Sequence, residues 1–156
     1  MKLQDQVCTI EQGKQLKELG ILQQSVTCFI GDELHLFEKQ FYDWAEQKGM
    51  NAVAAFTVSE LGAMLPDYTV KLGNLEIGKC ETDHVSMKPI KPGWWNVSYW
   101  TWSHKSHSRG GFYLEKVSNH LYQAPTAAQA MAAMLIYLIQ KKLVKVKEIN
   151  ERLQTA

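Results

Sequence analysis

Residues 125–139 read Pro125-Thr126-Ala127-Ala128-Gln129-Ala130-Met131-Ala132-Ala133-Met134-Leu135-Ile136-Tyr137-Leu138-Ile139, and this stretch decides the fold. A threonine followed three residues later by glutamine is the reciprocal cap that opens a helix, each side chain satisfying a backbone donor of the other's turn. From Ala130 to Ile139 nearly every helical face is apolar, so this helix must be packed on more than one side. The run is too short for a membrane span, being roughly half of the ~20 residues needed to cross a bilayer.

Working outward, the same capping pattern recurs twice. Thr9-Ile10-Glu11-Gln12 opens a first helix over about 10–19, with Ile10, Leu16 and Leu19 on one stripe and Gly20 suited to a left-handed stop. Thr57-Val58-Ser59-Glu60 opens a second, short helix, where Phe56 and Leu61 stand at staple positions and Pro66 ends it after Leu65. Beyond the central helix, Leu143, Val146, Ile149 and Leu153 keep helical spacing among Lys141, Lys142, Lys145, Lys147, Glu148, Glu151 and Arg152. That amphipathic tail, about 144–154, either extends the central helix or breaks from it near Leu143-Val144. Its narrow stripe docks on its own domain in preference to a second subunit.

Between the helices the hydrophobic period changes to two. Tyr68, Val70 and Leu72, then Leu75 and Ile77, flank Gly73-Asn74 and predict a hairpin turning there. Val26 to Ile30 and Leu34 to Phe37 around Gly31-Asp32 predict another. Residues 81–93, with Pro89 and Pro92-Gly93, read as a loop, Trp94 to Trp102 as a strand, Ser103 to Gly111 as a polar turn, and Phe112 to Val117 as the antiparallel return. The sum is an α+β protein, one globular domain over 1–156. An antiparallel sheet of about four to six strands packs against helices, chiefly the long one in the C-terminal region.

Composition agrees with that class and excludes several functions. The 156 residues are 46% hydrophobic and 21% charged, ordinary for a single globular domain. Three cysteines, Cys8, Cys28 and Cys80, have no Cys-x-x-Cys spacing, which argues against a disulfide framework or a cysteine-rich zinc module. The N-terminal residues lack the apolar core of a secretory signal, so a cytoplasmic protein is expected. Net charge is +1, but residues 1–83 hold 7 basic and 13 acidic residues and residues 84–156 hold 10 and 3. Either the two halves dock on one another, or the second presents a basic face to an anionic partner.

Catalytic signatures are missing: there is no Gly-x-Ser-x-Gly, P-loop or Gly-x-Gly-x-x-Gly pattern. No catalytic residue, cofactor or metal is therefore assigned. His104 and His107 stand three apart in what reads as a Ser-rich turn, without the further ligands a zinc site requires. Four of the five tryptophans lie between Trp94 and Trp102, and strand parity sends Trp94, Trp100 and Trp102 to one face and Trp95, Val97 and Tyr99 to the other. Both faces read first as core or protein interface. If one is open, it is a platform on which bases or sugars stack, with cationic groups alongside. The candidate partner-binding surface is Trp100, Trp102, His104, Lys105, His107 and Arg109, together with Lys141, Lys142 and Lys145 in the basic tail.

Three blocks carry a resemblance: Cys8 to Gln12 with Leu16-Lys17-Glu18-Leu19-Gly20, Ala55 to Gly62 with Leu65-Pro66, and Ala130 to Ile139. Over roughly a third of the chain they resemble small proteins of bacteriophages and mobile elements of gut bacteria, a family without an established activity. The resemblance implies an accessory protein working inside the cell, and no residue role comes with it. The expectation is a non-enzymatic interaction protein that meets a protein partner or its own copy, with no membrane association. The alternative is a nucleic-acid accessory protein using segment 94–109 and the basic C-terminal helix.

Overall fold

The structure, a computed structural model, describes residues 3–36, 39–79, 93–106 and 112–155. Both short capped helices form where their caps predict. In α1 (Ile10–Glu18) the Gln12 N–H donates to Thr9 Oγ1 and the Thr9 N–H to Gln12 Oε1. Gly20 then turns left-handed, and the Ile21 N–H returns to Leu16 O at 3.0 Å, closing the stop with Ile21 folded into the core. In α3 (Val58–Met64) the box is Thr57 with Glu60, and the staple residues Phe56 and Leu61 are both fully buried.

The central helix, α4 (Ala127–Gln140), is capped by Thr126 and buries Ala128, Ala130, Ala132, Met134, Leu135 and Leu138 completely. It packs against strands on one side and α1 and α3 on the other, which is why polar residues are excluded from almost its whole circumference. Gln12 Nε2 reaches Gln129 O at 2.9 Å and ties α1 to its first turn. The tail does not continue this helix. Lys142 adopts a left-handed conformation (φ 55°), with its N–H on Ile139 O and the Leu143 N–H on Leu138 O, and α5 (Val146–Thr155) starts afresh. The tail docks on its own domain: Ile149 is 1% exposed, and the Asn150 amide donates to Gly20 O while accepting from the Leu22 N–H. A non-glycine residue in the left-handed stop carries a steric cost of roughly 1 kcal/mol that glycine lacks. Lys142 is exposed, so Lys142→Gly is expected to raise stability by about that amount, read as a higher urea midpoint. An unchanged or lower midpoint counts against a strained stop.

The strands divide between two antiparallel sheets where one was expected. The smaller has order β2-β1-β3, from β1 (Thr27–Ile30), β2 (Glu33–Leu36) and β3 (Ala52–Ala54); the larger has order β4-β5-β6-β7, from β4 (Tyr68–Thr69), β5 (Gly73–Lys79), β6 (Trp95–Ser106) and β7 (Phe112–Ala124). The β1–β2 hairpin turns at Gly31-Asp32 as predicted. The second hairpin turns earlier than Gly73-Asn74: Val70–Leu72 make the turn, Thr69 Oγ1 accepts the Leu72 N–H, and Gly73 already pairs with Thr69. Gly73 is required by packing, for at φ 89° a side chain there would sit 2.1 Å from Trp100 O.

Helix α2 (Lys39–Gln47) and β3 are additions to the sequence reading, packed through Tyr42, Ala45, Cys28 and Ala52. Strand β6 runs on to Ser106, so His104 lies in a strand and not in a Ser-rich turn. Strand β7 runs on to Ala124 and does not stop at Val117, because a bulge absorbs one residue: Tyr99 pairs with His120 and Trp100 with Ser118, leaving Asn119 extra. The predicted loop over 81–93 lies outside the described residues except for its last position.

Candidate interaction surface

Strands β6 and β7 outrun the helix that covers them. With 14 residues at about 1.5 Å each α4 is roughly 21 Å long, whereas the 13 residues of β7 at about 3.3 Å each span roughly twice that. The chain reverses at 125–126 and α4 runs back along the sheet, so that Tyr137, near its end, stacks on His120 with centroids 3.6 Å apart and planes 7° from parallel. Burial, and then the neighbouring Tyr137, push the Tyr122 hydroxyl above its ordinary pKa in this cluster. Past Trp100 and Ser118 the hairpin therefore extends beyond the end of α4 as an arm.

Alternation along β6 sorts the aromatic residues. Val97 and Tyr99 are completely buried against the helices, joined by half-buried Trp95, and the Tyr99 hydroxyl donates to Pro66 O at 2.6 Å. On the opposite, outer face lie Asn96, Ser98, Trp100, Trp102 and His104. Trp100 and Trp102 meet edge to face, with centroids 5.3 Å apart and planes at 86°. Trp102 is 57% exposed, an unusual state for the largest amphipathic side chain. The neighbouring β5 sets Asn74, Glu76 and Gly78 in register with Trp100, Ser98 and Asn96. At the base of the same face the cross-strand pair Asn96 and Gln123 buries an acceptor, Asn96 Oδ1, and a donor, Gln123 Nε2, neither with a hydrogen-bond partner. Sequence reasoning missed that pair, since a bulge shifts the β7 register that brings it together.

The residues singled out from sequence do not form one surface. Trp100, Trp102 and His104 share the outer face, His104 being exposed. Lys105 is placed by its backbone alone, opposite Tyr113, while His107 and Arg109 lie outside the described residues. Lys141, Lys142 and Lys145 are exposed at the α4–α5 turn. They belong to the helical side of the sheet, behind Trp100 and Trp102, and Lys145 is ion-paired with Glu148 at 3.1 Å. A nucleic-acid strand stacked on the tryptophans would have to wrap around the sheet to reach them.

Elsewhere among the described residues, Cys8 is inaccessible and Lys17 is engaged. Burial pushes the Cys8 thiol up to about 12, far from a nucleophile's range. A shallow hollow of about 260 Å³ beside α1 and β3 includes Lys14, Lys17 and Glu18, but the Lys17 ammonium is bound to Glu46 and to Ala52 O. Among the described residues no group of three His, Cys, Asp or Glu side chains is placed to hold a metal. Compared with protein-family models, curated proteins and solved structures, the chain matches none.

Proposed function

We propose that the chain is a non-enzymatic accessory protein of phage or mobile-element type, working in the cytoplasm, that binds a protein partner on the outer face of its β6–β7 arm. The observation that carries this reading is the Trp100–Trp102 pair, held edge to face by the sheet with Trp102 more than half exposed. Exposed aromatic anchors on a rigid strand present large contact area with little side-chain entropy to lose, the physical character of a binding hot spot. No helix among the described residues is long and apolar enough to cross a membrane, in keeping with this reading.

The separation of Lys141, Lys142 and Lys145 from Trp100 and Trp102 favours a protein over a nucleic acid, because phosphate contacts from that tail and base stacking on the tryptophans would not share one face. Trp102→Ala tests the reading directly. Against a partner identified by cross-linking to wild-type protein, the variant is expected to lose at least about tenfold in affinity, and a Lys141→Ala/Lys142→Ala/Lys145→Ala triple variant is expected to lose little. Saturable quenching of tryptophan emission by single-stranded DNA, with affinity falling linearly in log salt, would replace this reading with the nucleic-acid one.

A further inference from the structure

We infer that the turn between α4 and α5 is a second binding surface, one that meets the phosphate backbone of a nucleic acid through Lys141, Lys142, Lys145 and Lys147 and reads no bases. The inference is independent of what occupies the tryptophan face. The turn reads Lys141-Lys142-Leu143-Val144-Lys145-Val146-Lys147, four cations in seven positions with no acid among them. The fold sorts these residues: Leu143, Val144 and Val146 pack on the main core, and all four lysines are exposed. Lys145 and Lys147 are held only by surface pairs, to Glu148 at 3.1 Å and to Glu151 at 3.8 Å, contacts weak enough to give way to a phosphate. Lys141 and Lys142 have no ion pair with a described residue. Residues 1–83, with 7 basic and 13 acidic residues, repel a phosphate chain that the 10 basic and 3 acidic residues of 84–156 attract, so the charge distribution favours contact through the second half.

Lys142 adds an observation of its own. It holds the left-handed stop of α4 at φ 55°, a conformation that glycine adopts at lower cost, so a cation stands where the fold alone favours a residue without a side chain. The chemistry of the turn then chooses its occupant. Protein interfaces are anchored by aromatic and arginine side chains and depleted in lysine, the opposite of this composition. A bilayer takes an amphipathic segment by its apolar face, and here the apolar side chains are packed into the core. An ammonium is a compact point charge that pairs with phosphate without demanding a fixed angle, so closely spaced lysines suit a repeating phosphate chain. With no aromatic residue between 141 and 147 to stack on a base, contact stops at the backbone.

Anisotropy of a fluorescein-labelled duplex DNA of mixed sequence, titrated with the full chain at low salt and again as salt is raised, tests the inference. Log affinity should fall linearly with log salt at a slope of about −3, each phosphate met contributing roughly −0.9. Lys142→Gly is the informative variant, because it relieves the left-handed turn and so keeps the fold while removing one cation; its slope should be shallower by about one. Lys141→Ala combined with Lys142→Gly should weaken low-salt binding at least about tenfold and flatten the slope by about two. Absence of binding at high micromolar protein and low salt overturns the inference, as does binding that the double variant leaves unchanged. Saturable quenching of tryptophan emission that survives the double variant also overturns it, by placing the contact on the tryptophan face. Binding to phosphatidylserine vesicles without binding to DNA would overturn it in favour of a lipid surface.

Discussion

Gly73→Ala is expected to destabilise the protein by roughly 3 kcal/mol and to disturb the tryptophan pair at the same time. An added Cβ would stand 2.1 Å from Trp100 O, 2.8 Å from Trp100 C and 2.5 Å from Thr101 Cγ2, and two of those three atoms are backbone that cannot rotate away. The left-handed φ of 89° adds about 1–2 kcal/mol for any residue with a Cβ, and overpacking against main chain adds a comparable amount. Strand β5 must then shift relative to β6 at the very residue that begins the arm. Urea unfolding followed by circular dichroism reads the first effect, and the far-ultraviolet exciton signal of the coupled indoles reads the second. Gly78→Ala is the matched control, since nothing lies within 4 Å of its added methyl. If both alanine variants unfold at the same urea concentration, β5 is not pressed on Trp100 as described.

Glu60→Ala is expected to cost a similar amount, about 2–4 kcal/mol, for a different reason. One carboxylate accepts from the Thr57 N–H at 2.7 Å, Thr57 Oγ1 at 2.8 Å, Ser25 Oγ at 2.9 Å and the Val26 N–H at 3.0 Å. It thus caps α3 and anchors the segment entering β1 in a single group. Losing the cap alone accounts for about 1 kcal/mol, and the charge-assisted bonds to residues 25 and 26 supply the rest. Glu60→Gln keeps one acceptor oxygen and should recover about half of the loss. Amide exchange at Val26 and Thr57 should accelerate in both variants. A glutamine variant as stable as wild type would mean that a neutral cap suffices and that the link to β1 contributes little.

What could be read in advance follows from how local each signal is. Thr9 with Gln12, Thr57 with Glu60, and Thr126 with Gln129 act within one turn, so the starts of α1, α3 and α4 were legible. Helix α2 was not: no Ser/Thr cap announces it, and its helical state rests on Tyr42 and Ala45 packing on Cys28 and Ala52. Strand β3 was equally hidden, because Ala52-Val53-Ala54 has little strand propensity and becomes a strand by pairing with β1. The turn of the second hairpin was misplaced because Gly73 satisfies a contact with Trp100 from another strand, and a glycine required by distant packing looks the same as a glycine required by a turn. Of the candidate surface, Trp100 and Trp102 were assigned to a common face by strand parity, which is a property of the chain alone.

Class and centre were therefore determined by the sequence itself: an α+β chain built around an Ala-rich helix that tolerates no polar face, with a strand whose two faces are both aromatic. Capping, period and parity depend on residues within a few positions of one another. The tertiary structure alone decided that the strands form two sheets, that the tail turns at Lys142 and docks through Ile149, and that one aromatic face is core while the other leaves Trp102 more than half exposed. It also decided that Lys141, Lys142 and Lys145 stand at the α4–α5 turn, apart from the face that carries Trp100 and Trp102. Those outcomes depend on which segments lie side by side, and α4, at about half the length of β7, covers only part of the inner face of the hairpin.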